Sequence, residues 1–127
     1  MLLLAMKMAF WRANSIKATK ALMKGWDREI QFDVEGMDSF HVVVQGGRAS
    51  VRKGKSEKQD LTIKSSTANF RKIIRGEVNF EEAFIRKQVD AIGSIRDASI
   101  FKRIFGVTME SHKGIISIAR KLFGKFI

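Results

Sequence analysis

Apolar and polar residues alternate strictly along residues 28–35. Ile30, Phe32 and Val34 face one way, and Glu29, Gln31, Asp33 and Glu35 face the other. A period of two is the signature of a strand with one dry face. The same period returns in Phe40, Val42 and Val44 against His41, Val43 and Gln45. It returns again in Ala49 and Val51 between Arg48, Ser50 and Arg52, and in Leu61 and Ile63 between Asp60, Thr62 and Lys64. Gly36 to Asp38 makes the first turn. Gly46-Gly47 is a two-residue hairpin signal, because both glycines accept positive φ. Residues 54–58 form a polar loop. Four strands joined by short turns predict an antiparallel meander, with His41 on its polar face.

On either side of these strands the period lengthens to three and four, the spacing of a helix. Residues 2–24 predict an N-terminal helix, apolar nearly all round to Trp11 and amphipathic beyond it, with Ile16, Thr19, Met23 and Trp26 on one side. Asn14 and Ser15 either break this helix or sit on its wet face, and Gly25 closes it. After the strands, Phe70, Ile73 and Ile74 share a helical face that Gly76 ends. Asn79 then caps a short helix, with Glu82 three residues on as capping-box partner, and Phe80, Ala83 and Phe84 form its apolar face. Val89 to Ile92 reads as a short strand stopped by Gly93, joining an edge of the sheet. Ser94 and Asp97 resemble a second capping box, opening a helix striped by Ile95, Ala98, Phe101, Ile104 and Phe105 and closed by Gly106. A last helix spans residues 111–126, with Ile115, Ile116, Ala119, Leu122 and Phe123 on one stripe and basic residues on the rest. A sheet with one dry face needs a cover, and the helices supply it, giving a two-layer α+β domain.

Residues 66–106 also carry a resemblance. Phe70, Ile73, Ile74, Gly76, Val78, Asn79, Ala83, Phe84, Val89, Ala91 and Gly93, in that order and spacing, resemble the sterol carrier protein type 2 (lipid-binding) domain. The chain departs from the family where it has Phe80, often proline there, and Lys87, often glycine. The resemblance implies a five-stranded, mostly antiparallel mixed sheet, with about five helices on one face enclosing an apolar tunnel. It also implies a lipid, fatty acyl or isoprenoid ligand.

Composition narrows the field. The 127 residues suffice for one domain with a real core, so residues 1–127 are expected to form a single unit. The chain has no cysteine, so disulfides and thiolate metal sites are excluded. No apolar run reaches the roughly 18 residues that span a bilayer. The opening MLLLAMKMAFW carries Lys7 within its apolar run rather than before it, which argues against a secretory signal and toward a cytoplasmic protein.

The net charge is +11 and unevenly placed. Residues 1–24 hold five basic residues and no acidic one, residues 111–127 hold four and none, and the middle holds fifteen against thirteen. An anionic partner is therefore expected to meet the terminal segments first. The last helix has the composition of a membrane-surface helix, with Lys113, Arg120, Lys121 and Lys125 as its contacts to an anionic surface.

No constellation for catalysis stands out. His41 and His112 are the only histidines, and neither has Asp or Glu at metal-ligand spacing. Glu81 and Glu82 are adjacent on a helix and point apart; their place at the positive helix start explains them. No phosphate loop, dinucleotide fingerprint or nucleophile elbow is present. A non-catalytic binding protein without cofactor or metal is expected. Ten phenylalanines and six methionines suit either an ordinary core or an adaptable interior, and the resemblance favours the latter. The expected lining is Phe70, Ile74, Phe84, Phe101, Ile104 and Phe105, with Ile116 and Phe123 from the last helix. Two alternatives stand beside a lipid carrier. One is an interaction or homodimerisation module using the Leu2–Trp11 and Ile115–Ile127 stripes. The other is a nucleic-acid binder, disfavoured because aromatic and basic residues do not interleave on one sheet face.

Overall fold

The computed structural model describes the backbone of residues 2–123 and the side chains of residues 3–110. In chain order the elements are α1 (Leu2–Ala13), α2 (Lys17–Met23), β1 (Arg28–Glu35), β2 (Phe40–Gln45), β3 (Arg48–Lys53), β4 (Leu61–Ser66), α3 (Thr67–Ile74), α4 (Phe80–Ile85), β5 (Val89–Gly93) and α5 (Ile95–Phe123). The sheet order is β3-β2-β1-β4-β5. Every pairing is antiparallel except β1 with β4. This is the expected two-layer α+β fold with a mixed five-stranded sheet and five helices.

The alternation read from the sequence is the alternation of the sheet. Val42 lies opposite Ile30 and Val51, Phe40 opposite Phe32, and Ile63 between Phe32 and Ala91. These side chains form one apolar face, buried under the helices in a single core. Gly46 and Gly47 both adopt positive φ, +61° and +74°, as the hairpin between β2 and β3 requires.

The meander stops at β3. From there the chain crosses the opposite face of the sheet and enters β4 parallel to β1. The crossing segment, residues 54–60, is polar because the sheet beneath it is polar. Ser56 is buried; its N–H donates to Gln31 Oε1 (2.8 Å) and its hydroxyl to Glu29 Oε1 (2.6 Å). The Glu29 N–H donates to Asp60 Oδ2 at 2.8 Å. His41 lies on this face as expected but is covered, its Nδ1 2.8 Å from the Gly54 carbonyl oxygen.

The helical segments settle one alternative left by the sequence and depart from its expectation once. The N-terminal segment, expected as one helix over residues 2–24 unless Asn14 and Ser15 broke it, is two helices, so the break is the reading that holds. Asn14 stands at the break, where its amide donates to the Ala49 carbonyl (2.9 Å) and accepts from the Ala49 N–H (2.8 Å). It thereby pairs with the outer edge of β3 as another peptide unit would. The departure is at Gly106. It does not close a helix, and no separate helix begins at residue 111: α5 runs unbroken for 29 residues. An interior glycine costs only about 1 kcal/mol relative to alanine. Buried Phe105, Thr108 and Met109 on both sides of it hold the helix through.

Two caps follow the sequence. Asn79 and Ser94 accept from the N–H groups of Glu82 and Asp97 as expected, and Ser66, not read as a cap from the sequence, accepts from that of Asn69. Asp97 also reaches beyond its helix. Its Oδ1 accepts from Trp26 Nε1–H (3.0 Å) and its Oδ2 from Arg28 Nε–H (3.1 Å), pinning the start of α5 to β1. Burial pushes the Asp97 carboxyl up. The hydrogen bonds from Trp26 and Arg28, the Arg28 charge and the bond from Ser94 outweigh burial and hold it below the ordinary carboxylate value.

Candidate functional site

Phe32 lies at the centre of the apolar face, stacked on Phe40 at 4.9 Å between ring centres. The rings of Phe70, Phe101 and Phe105 meet it edge-on at 5.8–5.9 Å. Phe101 and Phe105, one turn apart on α5, stack at 5.5 Å. The chain thus brings five of its expected lining residues together: Phe70, Ile74, Phe101, Ile104 and Phe105 are all buried in this core. There they pack against one another and against the sheet. Phe84 stands apart, half-buried, with Lys102 Nζ 4.7 Å above its ring. Ile116, Phe123, Lys113, Arg120, Lys121 and Lys125 lie outside the residues whose side chains are described.

Over this aromatic layer runs a groove of about 510 Å³ between α2, the start of α4 and the middle of α5. Its apolar walls are Ala18, Ala21, Leu22, Phe80 and Val107, and Gly106 opens its middle. The volume falls within the ~300–1,000 Å³ of small-ligand sites. Each wall has a local cause. Ala18 and Ala21 are small and exposed on α2, so they leave width. Gly106 contributes no side chain, and a Cβ placed there would have no atom within 4 Å.

Phe80 forms the floor. Asn79 caps α4 through the Glu82 N–H, which sets Phe80 at the first helical position, facing the core. Its ring meets Phe105 edge-on at 4.5 Å and Phe101 at 6.4 Å. One ring thus separates the groove from the expected lining residues. Lys102 and Arg103 stand on the groove wall with Glu81, and neither cation is in a salt bridge among the described residues.

Sequence reasoning placed Phe80 on the apolar face of α4 but did not reach Ala18, Ala21, Leu22, Gly106 or Val107. Two small residues on a polar helix and a glycine read as a stop give no periodic signal. Only the crossing of α2 over α5 makes them neighbours. Among the described residues no three His, Asp or Glu side chains are grouped to hold a metal ion, and no helix is long and apolar enough to cross a membrane.

No curated protein matches the chain by sequence. Its fold recurs in solved structures. A crystal structure of sterol carrier protein 2 is 17% identical with a TM-score of 0.64, covering 84% of this chain and 92% of that one. The solution structure of sterol carrier protein domain 2 of Helicoverpa armigera is 18% identical with a TM-score of 0.64, covering 86% and 85%. The solution structure of palmitated SCP2L2 from Aedes aegypti is 11% identical with a TM-score of 0.61, covering 80% and 90%. At such identities the likeness speaks for the fold. The SCP-2 sterol transfer family model matches residues 9–106, a span that includes every residue of the resemblance noted above and the whole aromatic layer, and the chain belongs to that family.

Proposed function

We propose that this protein binds a lipid with a long apolar chain in the groove between α2, α4 and α5, and carries it between membranes without reacting on it. The observation that carries this reading is the groove itself: apolar walls, two cations at its side that are in no salt bridge among the described residues, and a floor of one phenylalanine resting on Phe101 and Phe105. Family membership and the palmitated state of the Aedes aegypti relative support it. The apolar chain lies along Ala18, Ala21, Leu22 and Val107, and Lys102 and Arg103 hold an anionic head. When the Phe80 ring turns, the groove joins the layer of Phe70, Ile74, Phe101, Ile104 and Phe105. Phe84 flanks this entrance. For Ile116 and Phe123, whose side chains lie outside those described, a lining role is proposed from periodicity alone.

The energetics favour such a carrier. Each methylene exposed to water costs about 0.8 kcal/mol, so a sixteen-carbon chain leaving a bilayer unaided faces about 12 kcal/mol. An apolar groove removes most of that cost and makes transfer nearly balanced in both directions.

The test is a fluorescent fatty acid titrated into the full chain and displaced by palmitate, in the wild type and in Gly106→Leu. The new side chain starts where no atom lies within 4 Å, and leucine is a better helix former than glycine by somewhat less than about 1 kcal/mol, so the variant is expected to keep the helix, which its far-UV circular dichroism checks. Saturable binding in the wild type and roughly tenfold weaker binding in the variant, about 1.4 kcal/mol, is the expected result. Equal binding in both would place the ligand elsewhere. No binding in the wild type would end the reading.

A further inference from the structure

The outer edge of β3 is open along part of its length, and what surrounds it selects a partner. Asn14 occupies the edge at Ala49, taking its N–H and its carbonyl. Those two groups therefore point away from β2. Backbone direction repeats every two residues, so the N–H and carbonyl of Val51 also point outward, and no partner for them is described. The edge runs along a cleft of about 440 Å³ between α1 and β3. On the helix side stand Lys7 and Trp11, the latter 76% exposed. On the far side stand Arg48, Ser50 and Arg52. No carboxylate lines the cleft, and Lys7, Arg48 and Arg52 are in no salt bridge among the described residues.

From these observations we propose that β3 accepts an extended acidic segment of another protein as a sixth strand. Strand addition to an open edge takes its affinity from backbone hydrogen bonds and its specificity from alternate side chains. The two walls fix that alternation. Residues of the incoming strand that face α1 meet the Trp11 ring and are apolar. Those that face the other way meet Arg52, with Arg48 beside the end of the added strand, and are acidic. Asn14 sets where the added strand stops, because it already fills the ladder position at Ala49. This surface is separate from the groove between α2, α4 and α5, and the inference does not rest on lipid binding.

The probe is a short synthetic peptide alternating valine and glutamate, titrated into the full chain and followed by amide chemical shifts. Two further versions carry N-methyl groups on alternate backbone amides, one on each set. The expected result has three parts. The Val51 amide shifts on binding. One methylated peptide fails while the other binds, because only one set of amides faces β3. Arg48→Glu with Arg52→Glu weakens binding roughly tenfold or more while the rest of the amide spectrum is kept. Equal binding of both methylated peptides would mean charge attraction without strand addition and would overturn the proposal. So would the absence of peptide binding, or protection of the Val51 amide by phosphatidylglycerol vesicles in place of the peptide. Should the double charge reversal fail to fold, the pair of methylated peptides decides alone.

Discussion

Asp97 carries more than its position suggests. Three residues after Ser94, it has the place of a capping-box acid at the positive start of a helix. In the fold its carboxylate turns to the buried indole of Trp26 and to Arg28. A buried indole N–H wants an acceptor, and that was the available signal; the 71-residue separation concealed the pair. Arg28 is 38% exposed, so its charge is partly screened and contributes little. The larger part is the Trp26 bond: Asp97→Ala leaves that donor unsatisfied and is expected to cost about 1–3 kcal/mol in denaturant unfolding. The pH dependence has a definite sign. A carboxyl held below its unfolded value stabilises the fold above the ordinary carboxylate range, near 4, and loses that contribution as pH falls through its folded value. Stability measured from pH 7 downward should fall less steeply in Asp97→Asn than in the wild type below about pH 4; equal slopes would show that the latch does not titrate.

At the scale of elements, α3 and α4 end with the same device and different residues. In α3 the Glu77 N–H bonds the Lys72 carbonyl and the Gly76 N–H that of Ile73; in α4 Gln88 bonds Ala83 and Lys87 bonds Phe84. This is the Schellman arrangement, which needs a left-handed residue at its turn. Gly76 takes φ +75° at no steric cost, whereas Lys87 takes +60°, which costs a residue with a Cβ roughly 1–2 kcal/mol. Lys87→Gly removes that strain and adds unfolded-state entropy worth about 0.4–1 kcal/mol. A net stabilisation of up to about 1 kcal/mol in chemical denaturation is expected, and a loss would mean the lysine side chain contributes something beyond its backbone. Strand faces, caps and the short helices were legible because each is fixed by neighbours in the chain. The parallel crossing into β4 and the passage of α5 through Gly106 were not, and the break at Asn14 was legible only as one of two alternatives. Each is decided by a partner far away in sequence: Gln31 beneath Ser56, Ala49 beside Asn14, and the core beneath Phe105 and Met109.

At the scale of the whole molecule, charge and hydrophobic surface divide the work. Most of the +11 charge belongs to residues 1–24 and 111–127, so docking to an anionic leaflet through these segments, Lys113, Arg120, Lys121 and Lys125 among them, is proposed. Basic residues near such a surface contribute about 1 kcal/mol each, and the attraction is screened within about 3 Å at 1 M salt. The protein should sediment with vesicles containing phosphatidylglycerol at low salt, leave them at high salt, and ignore neutral phosphatidylcholine vesicles; salt-independent binding would contradict electrostatic docking. The expected lining residues illustrate what composition conceals. Phe70, Phe101 and Phe105 do converge, in a layer of rings packed on one another, and the groove between α2, α4 and α5 lies on the far side of Phe80 from Phe101 and Phe105. The measurement that bears most directly on this account is line broadening in the full chain by a spin-labelled stearic acid. The methyl signals of Ala18, Ala21, Leu22 and Val107 should broaden first, with Ala49 and Val51 untouched. Broadening confined to another surface, or none at all, would contradict the placement of a lipid chain between α2, α4 and α5.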